Sequence, residues 1–441
     1  MASPPGGQHI FGANQTVEVF NNPPPTGFTP PSGSSAAFFS PGPPPVVNLF
    51  AGIGSSFTFV DSTGNEQINL IYAGDPNITV TGSSGDTISG ATSTVAGDSE
   101  LIDLSGLNTG SKAGPMTVTG GTVQATVWAG ASDSIVGSSA VTFVDGHVGA
   151  SDTIVGGAGN LAVYGAAGDS IVGGTGSLLV NENQGHQGKE HIVGGVGSVT
   201  IFDLGKADTI SGSTGGTTYI DDSYGSGGNS SITGGSGTTG TLADGENTFI
   251  KAASGDTVVG GPNLTLINAI AGNVSVLGGS GTVTGTIAGL AGVNTVVEGG
   301  KGDTITSGAA ATLIDGTLGS QTITGGAGSN TIWGGTSDSI SGGTGTLEAQ
   351  IGSNSGAVTL NLSTGVAGVR DVSVSGSGAT VTVSGFSNNA GNTIQSATSV
   401  NASNVFLGTS VSDGKGGTLL TFKDGSTMDI IGVTGVIKFT Q

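Results

Sequence analysis

Polar and apolar residues alternate in short stretches along most of this chain, and glycines bound each stretch. A period of two sends successive side chains to opposite faces, the signature of half-buried strands. Two phrases recur from about residue 51. The first reads Gly-x-x-Asp-(Thr/Ser)-Ile-x-Gly-Gly and appears around Asp86, Asp133, Asp152, Asp169, Asp208, Asp256, Asp303 and Asp338. Further copies keep the frame and lose the aspartate, at Glu190–His191, at Ser230, and in the pair Gln321–Thr322–Ile323 and Asn330–Thr331–Ile332. The second phrase, Gly-x-Gly-x-(Leu/Val)-x-(Val/Ile), lies between them, with Leu161 and Val163, Leu178 and Val180, Val199 and Ile201 as its apolar pairs.

The steps from Asp133 to Asp152, Asp169, Glu190, Asp208 and Ser230 are 19, 17, 21, 18 and 22 residues. A period near 20 residues holding two short strands predicts a solenoid, since a propeller blade needs about twice that length. Each turn cannot bury its apolar face alone, but stacked turns can. The residue two places after the aspartate is always aliphatic. Ile88, Ile135, Ile154, Ile171, Ile192, Ile210, Ile232, Val258, Ile305, Ile323, Ile332 and Ile340 are thus expected to form one interior ladder. The fold class is all-β, an elongated parallel β-solenoid of the β-roll or β-helix type.

The ends depart from the pattern. Residues 1–50 are Pro-rich, with runs at Pro23–Pro25, Pro30–Pro31 and Pro43–Pro45, and read as a flexible arm. Its apolar patches at Val17–Phe20 and Ala37–Phe39 leave room for docking onto the adjoining repeats. Residues 51–355 form the repeat solenoid. Across 356–441 the glycine phrase fades and strands lengthen, as expected of a C-terminal β cap. Within it, a hairpin is predicted to turn at Asp424–Gly425, where Asp-Gly supplies the positive φ of a tight turn.

Composition narrows the function. Charged residues make up 9% of the chain, against about 25% in an ordinary globular domain. The net charge of −21 disfavours nucleic acid and anionic membranes and favours cations. There is no Cys, so disulfides and thiolate chemistry are excluded. No apolar run is long enough for a membrane span. The N-terminus lacks the basic and apolar regions of a cleaved signal peptide, so either the protein stays inside or its export signal lies elsewhere.

The glycine-aspartate phrases, over roughly residues 82–345, resemble the nonapeptide repeats of the repeats-in-toxin (hemolysin-type calcium-binding) family. That resemblance implies a parallel β-roll binding calcium between turns, with Asp86, Asp133, Asp152, Asp169, Asp208, Asp256, Asp303 and Asp338 as metal ligands. It also implies type I secretion through an uncleaved C-terminal signal, which the segment after residue 356 is similar to. The sequence departs from the family at Gly302–Asp303, Gly85–Asp86 and Gly168–Asp169, each one residue short, and at Leu161, Leu178 and Val199, where a second aspartate would stand. The same aspartates, each beside a glycine turn, can instead cap that turn through its backbone N–H groups.

Other chemistry is sparse. His186 and His191 fall near Glu182 and Glu190 in what reads as a solvated insertion. Thr-x-Thr pairs such as Thr117–Thr119, Thr282–Thr284 and Thr380–Thr382 look like those of flat ice-binding faces, but they do not recur at one phase of every turn. A catalytic β-helix needs clustered carboxylates and a basic residue in a cleft. Here Arg370 is the one arginine, and Asp221–Asp222 is the sole acidic pair of the repeats. The expectation is therefore a non-catalytic structural or adhesive protein, secreted or on the cell surface of a bacterium. Its expected partners are the cell surface, extracellular matrix or polysaccharide, and further copies of itself. A carbohydrate-active β-helix, a polysaccharide lyase or an epimerase-like enzyme, is the alternative.

Overall fold

The computed structural model of the chain describes residues 65–72, 77–92, 99–104, 115–146, 150–181, 188–202, 205–222, 295–309, 311–352, 356–362 and 406–434 in unbroken runs, with shorter segments, mostly single strands, elsewhere. Every regular element among the described residues is a β-strand. The chain divides into two compact units, Met1–Gly215 and Gly216–Gln441. Each is a parallel β-solenoid.

In the first unit each turn contributes one strand to each of two sheets. The aspartate phrase forms the first sheet. Thr87–Thr92, Thr117–Thr119, Ser134–Val136, Thr153–Val155, Ser170–Val172, His191–Val193 and Thr209–Ser211 pair in parallel, in that order. The second phrase forms the other sheet, through Ser99–Asp103, Gln124–Trp128, Thr142–Asp145, Leu161–Tyr164, Leu178–Asn181 and Val199–Phe202. Register follows the pleat. Ile135, Ile154, Ile171, Ile192 and Ile210 stack one above another on the first sheet, and Val127, Val144, Val163, Val180 and Ile201 answer them from the second, all at 0–1% exposure. Those two stacks are the core.

The glycine pairs form the corners that join the sheets. The backbone ladder runs on through them, with Gly137 N–H donating to Val155 O at 2.7 Å and Gly156 N–H to Val172 O at 2.7 Å. A side chain at Gly174 would strike the carbonyl oxygen of Gly157, and one at Gly157 that of Ser138. The corner glycines are fixed by the close approach of successive turns.

The second unit repeats this plan. Its first sheet runs through Ser231–Thr233, Thr257–Val259, Ser275–Leu277, Thr304–Thr306, Thr322–Thr324, Ser339–Ser341, Ala357–Asn361 and Thr380–Ser384. Its second includes Thr295–Gly299, Thr312–Gly316, Asn330–Gly334 and Leu347–Ile351. One rung of the expected ladder moves. Ile332 belongs to the second sheet, between Ile314 and Ala349, because Asn330–Thr331–Ile332 copies the words of the first phrase in the place of the second. The first-sheet ladder instead gains Val118 and Val276, which follow Met116 and Val274 rather than an acid.

Pairing begins inside the Pro-rich segment. Val17–Phe20 runs parallel to Ser35–Ser40, which lies antiparallel to Val46–Ala51, itself parallel to Gln67–Tyr72. Ala37, Val47 and Leu49 are buried there. At the other end, Thr418–Thr421 and Thr427–Ile430 form an antiparallel hairpin whose turn holds Asp424 and Gly425, with Gly425 at φ 87°. The returning strand also pairs in parallel with Thr380–Ser384, adding a strand to the first sheet.

Candidate functional site

The eight aspartates singled out by the repeat share one environment. Asp86, Asp133, Asp152, Asp169, Asp208, Asp256, Asp303 and Asp338 are each 0–2% exposed, at the corner entering the first sheet. Their carboxylates are bonded to the backbone. In Asp133, Oδ1 accepts the Met116 N–H of the preceding turn at 2.9 Å, and Oδ2 accepts the Gly130 N–H of its own turn at 2.7 Å. Asp169 does the same with Asp152 N–H and Ala166 N–H, and Asp338 with Gln321 N–H and Gly335 N–H. Asp86 and Asp303 repeat it. Asp152, Asp208 and Asp256 each reach the preceding turn through Oδ1, at Asp133, Glu190 and Ser230 respectively.

One carboxylate thus closes a turn and ties it to its neighbour. The local backbone explains the need. At ten described column positions the preceding residue is left-handed: Ser132, Ser151, Lys189, Ala207, Asn229, Ser320 and Ser337 have φ of 59–69° without being glycine, and Gly85, Gly168 and Gly302 fill the same place elsewhere. A non-glycine residue in that region costs on the order of 1 kcal/mol. The two N–H bonds to a carboxylate offset that cost, being stronger than neutral ones. Where the column residue is Met116 or Val274, its N–H still donates to the aspartate one turn on.

Burial makes four of these carboxyls reluctant to ionise. Loss of water raises Asp133 and Asp338 to about 6 against the lowering effect of their N–H bonds. Asp303 is raised for the same reason. Asp152 rises to about 7, from burial first and then from the charges of Asp169 and Asp133 on either side. Among the described residues its Oδ2 has no hydrogen-bond partner. Glu100, which accepts the Ala91 N–H at 3.0 Å, is pushed by burial to about 7.

Calcium takes about six to eight oxygens converging at roughly 2.3–2.6 Å. The column does not fit it. In five of the eight aspartates both oxygens face N–H donors, whose partial positive charge opposes a cation. Among the described residues, no group of three or more His, Cys, Asp or Glu side chains is placed to hold a metal ion. The geometry is that of turn capping.

Among the described residues the remaining polar candidates form no group that could hold a metal ion. His191 points outward from the first sheet while Glu190 is buried in the column; His186 and Glu182 lie outside the described residues. The hydroxyl residues are more regular than the sequence suggests. Thr117, Ser134, Thr153, Ser170 and Thr209 occupy one column on the outer side of the first sheet, interrupted by His191. The neighbouring column is Thr119, Val136, Val155, Val172, Val193 and Ser211, so a two-threonine face is not repeated. Thr282–Thr284 lies outside the described residues. Among the described residues no helix is long and apolar enough to cross a membrane.

No family model, curated protein or solved structure matches the chain.

Proposed function

We propose that this chain is a non-catalytic structural or adhesive repeat protein, secreted from a bacterium or held at its surface. The observation that carries the reading is where the acids are. The eight aspartates that recur along the repeats are buried in the column and bonded to backbone N–H groups rather than gathered at a cleft. What remains outside is a repeating surface with a period of one turn, suited to extended contact. Net charge of −21 and absence of Cys fit a chain that stays soluble without disulfides.

Export would use the segment from residue 356 onward through a type I system, with the hairpin at Asp424–Gly425 closing that end as a cap. Deletion of residues 356–441 in the producing bacterium tests this. The truncated chain is expected to stay inside the cell while the full chain reaches the medium or surface. Continued export of the truncated chain would remove the type I assignment.

A further inference from the structure

The outer face of the second sheet in the first unit has a repeat of its own. Its outermost column reads Trp128, Asp145, Tyr164, Asn181, Phe202 from one turn to the next. Aromatic rings therefore recur on every second turn, and a carboxylate or amide stands on the turn between. The adjacent outward column alternates in the opposite sense: Thr126, Phe143, Ala162, Leu179, Thr200. Every turn so presents one large apolar group and one small or polar group, and the two exchange places at each step. Trp128, Tyr164 and Leu179 are each 41% exposed. Phe143 supports Tyr164 edge-on, with ring centroids 5.2 Å apart.

We infer that this face binds an uncharged β-1,4-linked polysaccharide, lying along the stack of turns with the Trp128, Tyr164 and Phe202 rings against the apolar faces of alternate sugars. This partner rests on the adhesive reading above and makes it specific. The two periods match. Strands of neighbouring turns lie about 4.8 Å apart, so two turns advance about 9.6 Å. That is close to the length of two β-1,4-linked hexopyranoses, and successive sugars in such a chain are flipped, so the same face recurs every second unit. A partner that meets one pattern repeated over five turns must itself repeat along its length, as a polymer of identical units does and an ordinary globular surface does not; a second copy of this solenoid also repeats, and charge argues against it. Rings offer flat apolar area at low entropic cost. Asp145 and Asn181, between the rings, are placed to bond the hydroxyls of the intervening sugars. The sign of the charge selects among polymers. A chain of net charge −21 with Asp145 on the face repels acidic glycans, and repels a second copy of itself.

The test uses the purified full chain, so it is independent of export or location. Trp128 and Trp333 are the only tryptophans. In Trp333→Phe, emission reports Trp128 alone. Soluble β-1,4-gluco-oligosaccharide is expected to give a saturable blue shift, and α-1,4-linked oligosaccharide none. In gels containing soluble β-1,4-glucan, Trp128→Ala with Tyr164→Ala is expected to weaken retardation by about tenfold or more while its melting temperature stays that of the parent. No shift in Trp128 emission, equal response to the α-linked oligomer, or full retardation of the double variant would overturn the proposal. So would self-association abolished by the double variant without glucan binding, which would assign the face to a second copy.

Discussion

Asp133→Ala is expected to lower the stability of the folded chain by about 3 kcal/mol, although it removes a side chain that is costly to bury. The substitution leaves two buried N–H groups, on Met116 and Gly130, without acceptors. An unsatisfied buried donor costs about 1–3 kcal/mol. The left-handed Ser132 loses the bonds that offset its strain. Relief from burying a reluctant carboxyl returns part of this, so the net effect falls short of the sum. Asp133→Asn keeps one acceptor and should lose about half as much. Urea unfolding of the two variants beside the parent checks the order. A stability for Asp133→Ala equal to the parent's would mean that the carboxylate does not hold the turn.

Raising the pH from about 5 to 8 should destabilise the protein, the reverse of the usual acid denaturation. Carboxyls titrate near 4 in an unfolded chain, whereas in the fold burial lifts Asp133 and Asp338 to about 6 and Asp152 and Glu100 to about 7. Between those limits the folded state holds more protons than the unfolded one. Stability therefore falls as pH rises, by up to about 1.4 kcal/mol per pH unit for each group. The contribution is complete below the unfolded value near 4 and gone once pH passes about 7. Melting temperatures taken from pH 5 upward avoid precipitation near the sequence pI of 4.1. Asp152→Asn removes one of the two groups lifted highest and should flatten the upper part of the curve. A melting temperature that climbs toward neutral pH would contradict the assigned ionisation.

The interior of the fold is legible in the sequence because one strong signal marks it. An isoleucine two places after Asp133, Asp152, Asp169 and Asp208 faces inward in every turn, whatever the length of the loops between. Turns without an acid are harder to see, as at Val118 and Val276, since Met116 and Val274 break the phrase while leaving the parallel strand pairing in place. Ile332 misleads for the converse reason, its words being those of the first sheet and its place that of the second. The aspartates are visible as a series, but sequence alone leaves open whether they cap turns or bind calcium. The choice depends on which way the carboxylate points, and that follows from the left-handed residue before it. The checkerboard of Trp128, Asp145, Tyr164, Asn181 and Phe202 is illegible in the sequence. Loops of unequal length separate its members, so their phase emerges only from strand register.

The aspartate column pins the backbone from within, and amide hydrogen exchange of the full chain, in chelator and again in millimolar calcium, tests this most directly. The N–H groups of Met116, Gly130, Asp152 and Ala166 are expected to exchange as slowly as those of the adjacent strands in chelator, and calcium should leave them unchanged. Fast exchange at these amides in chelator, slowed only when calcium is added, would contradict the claim and return the carboxylates to the metal.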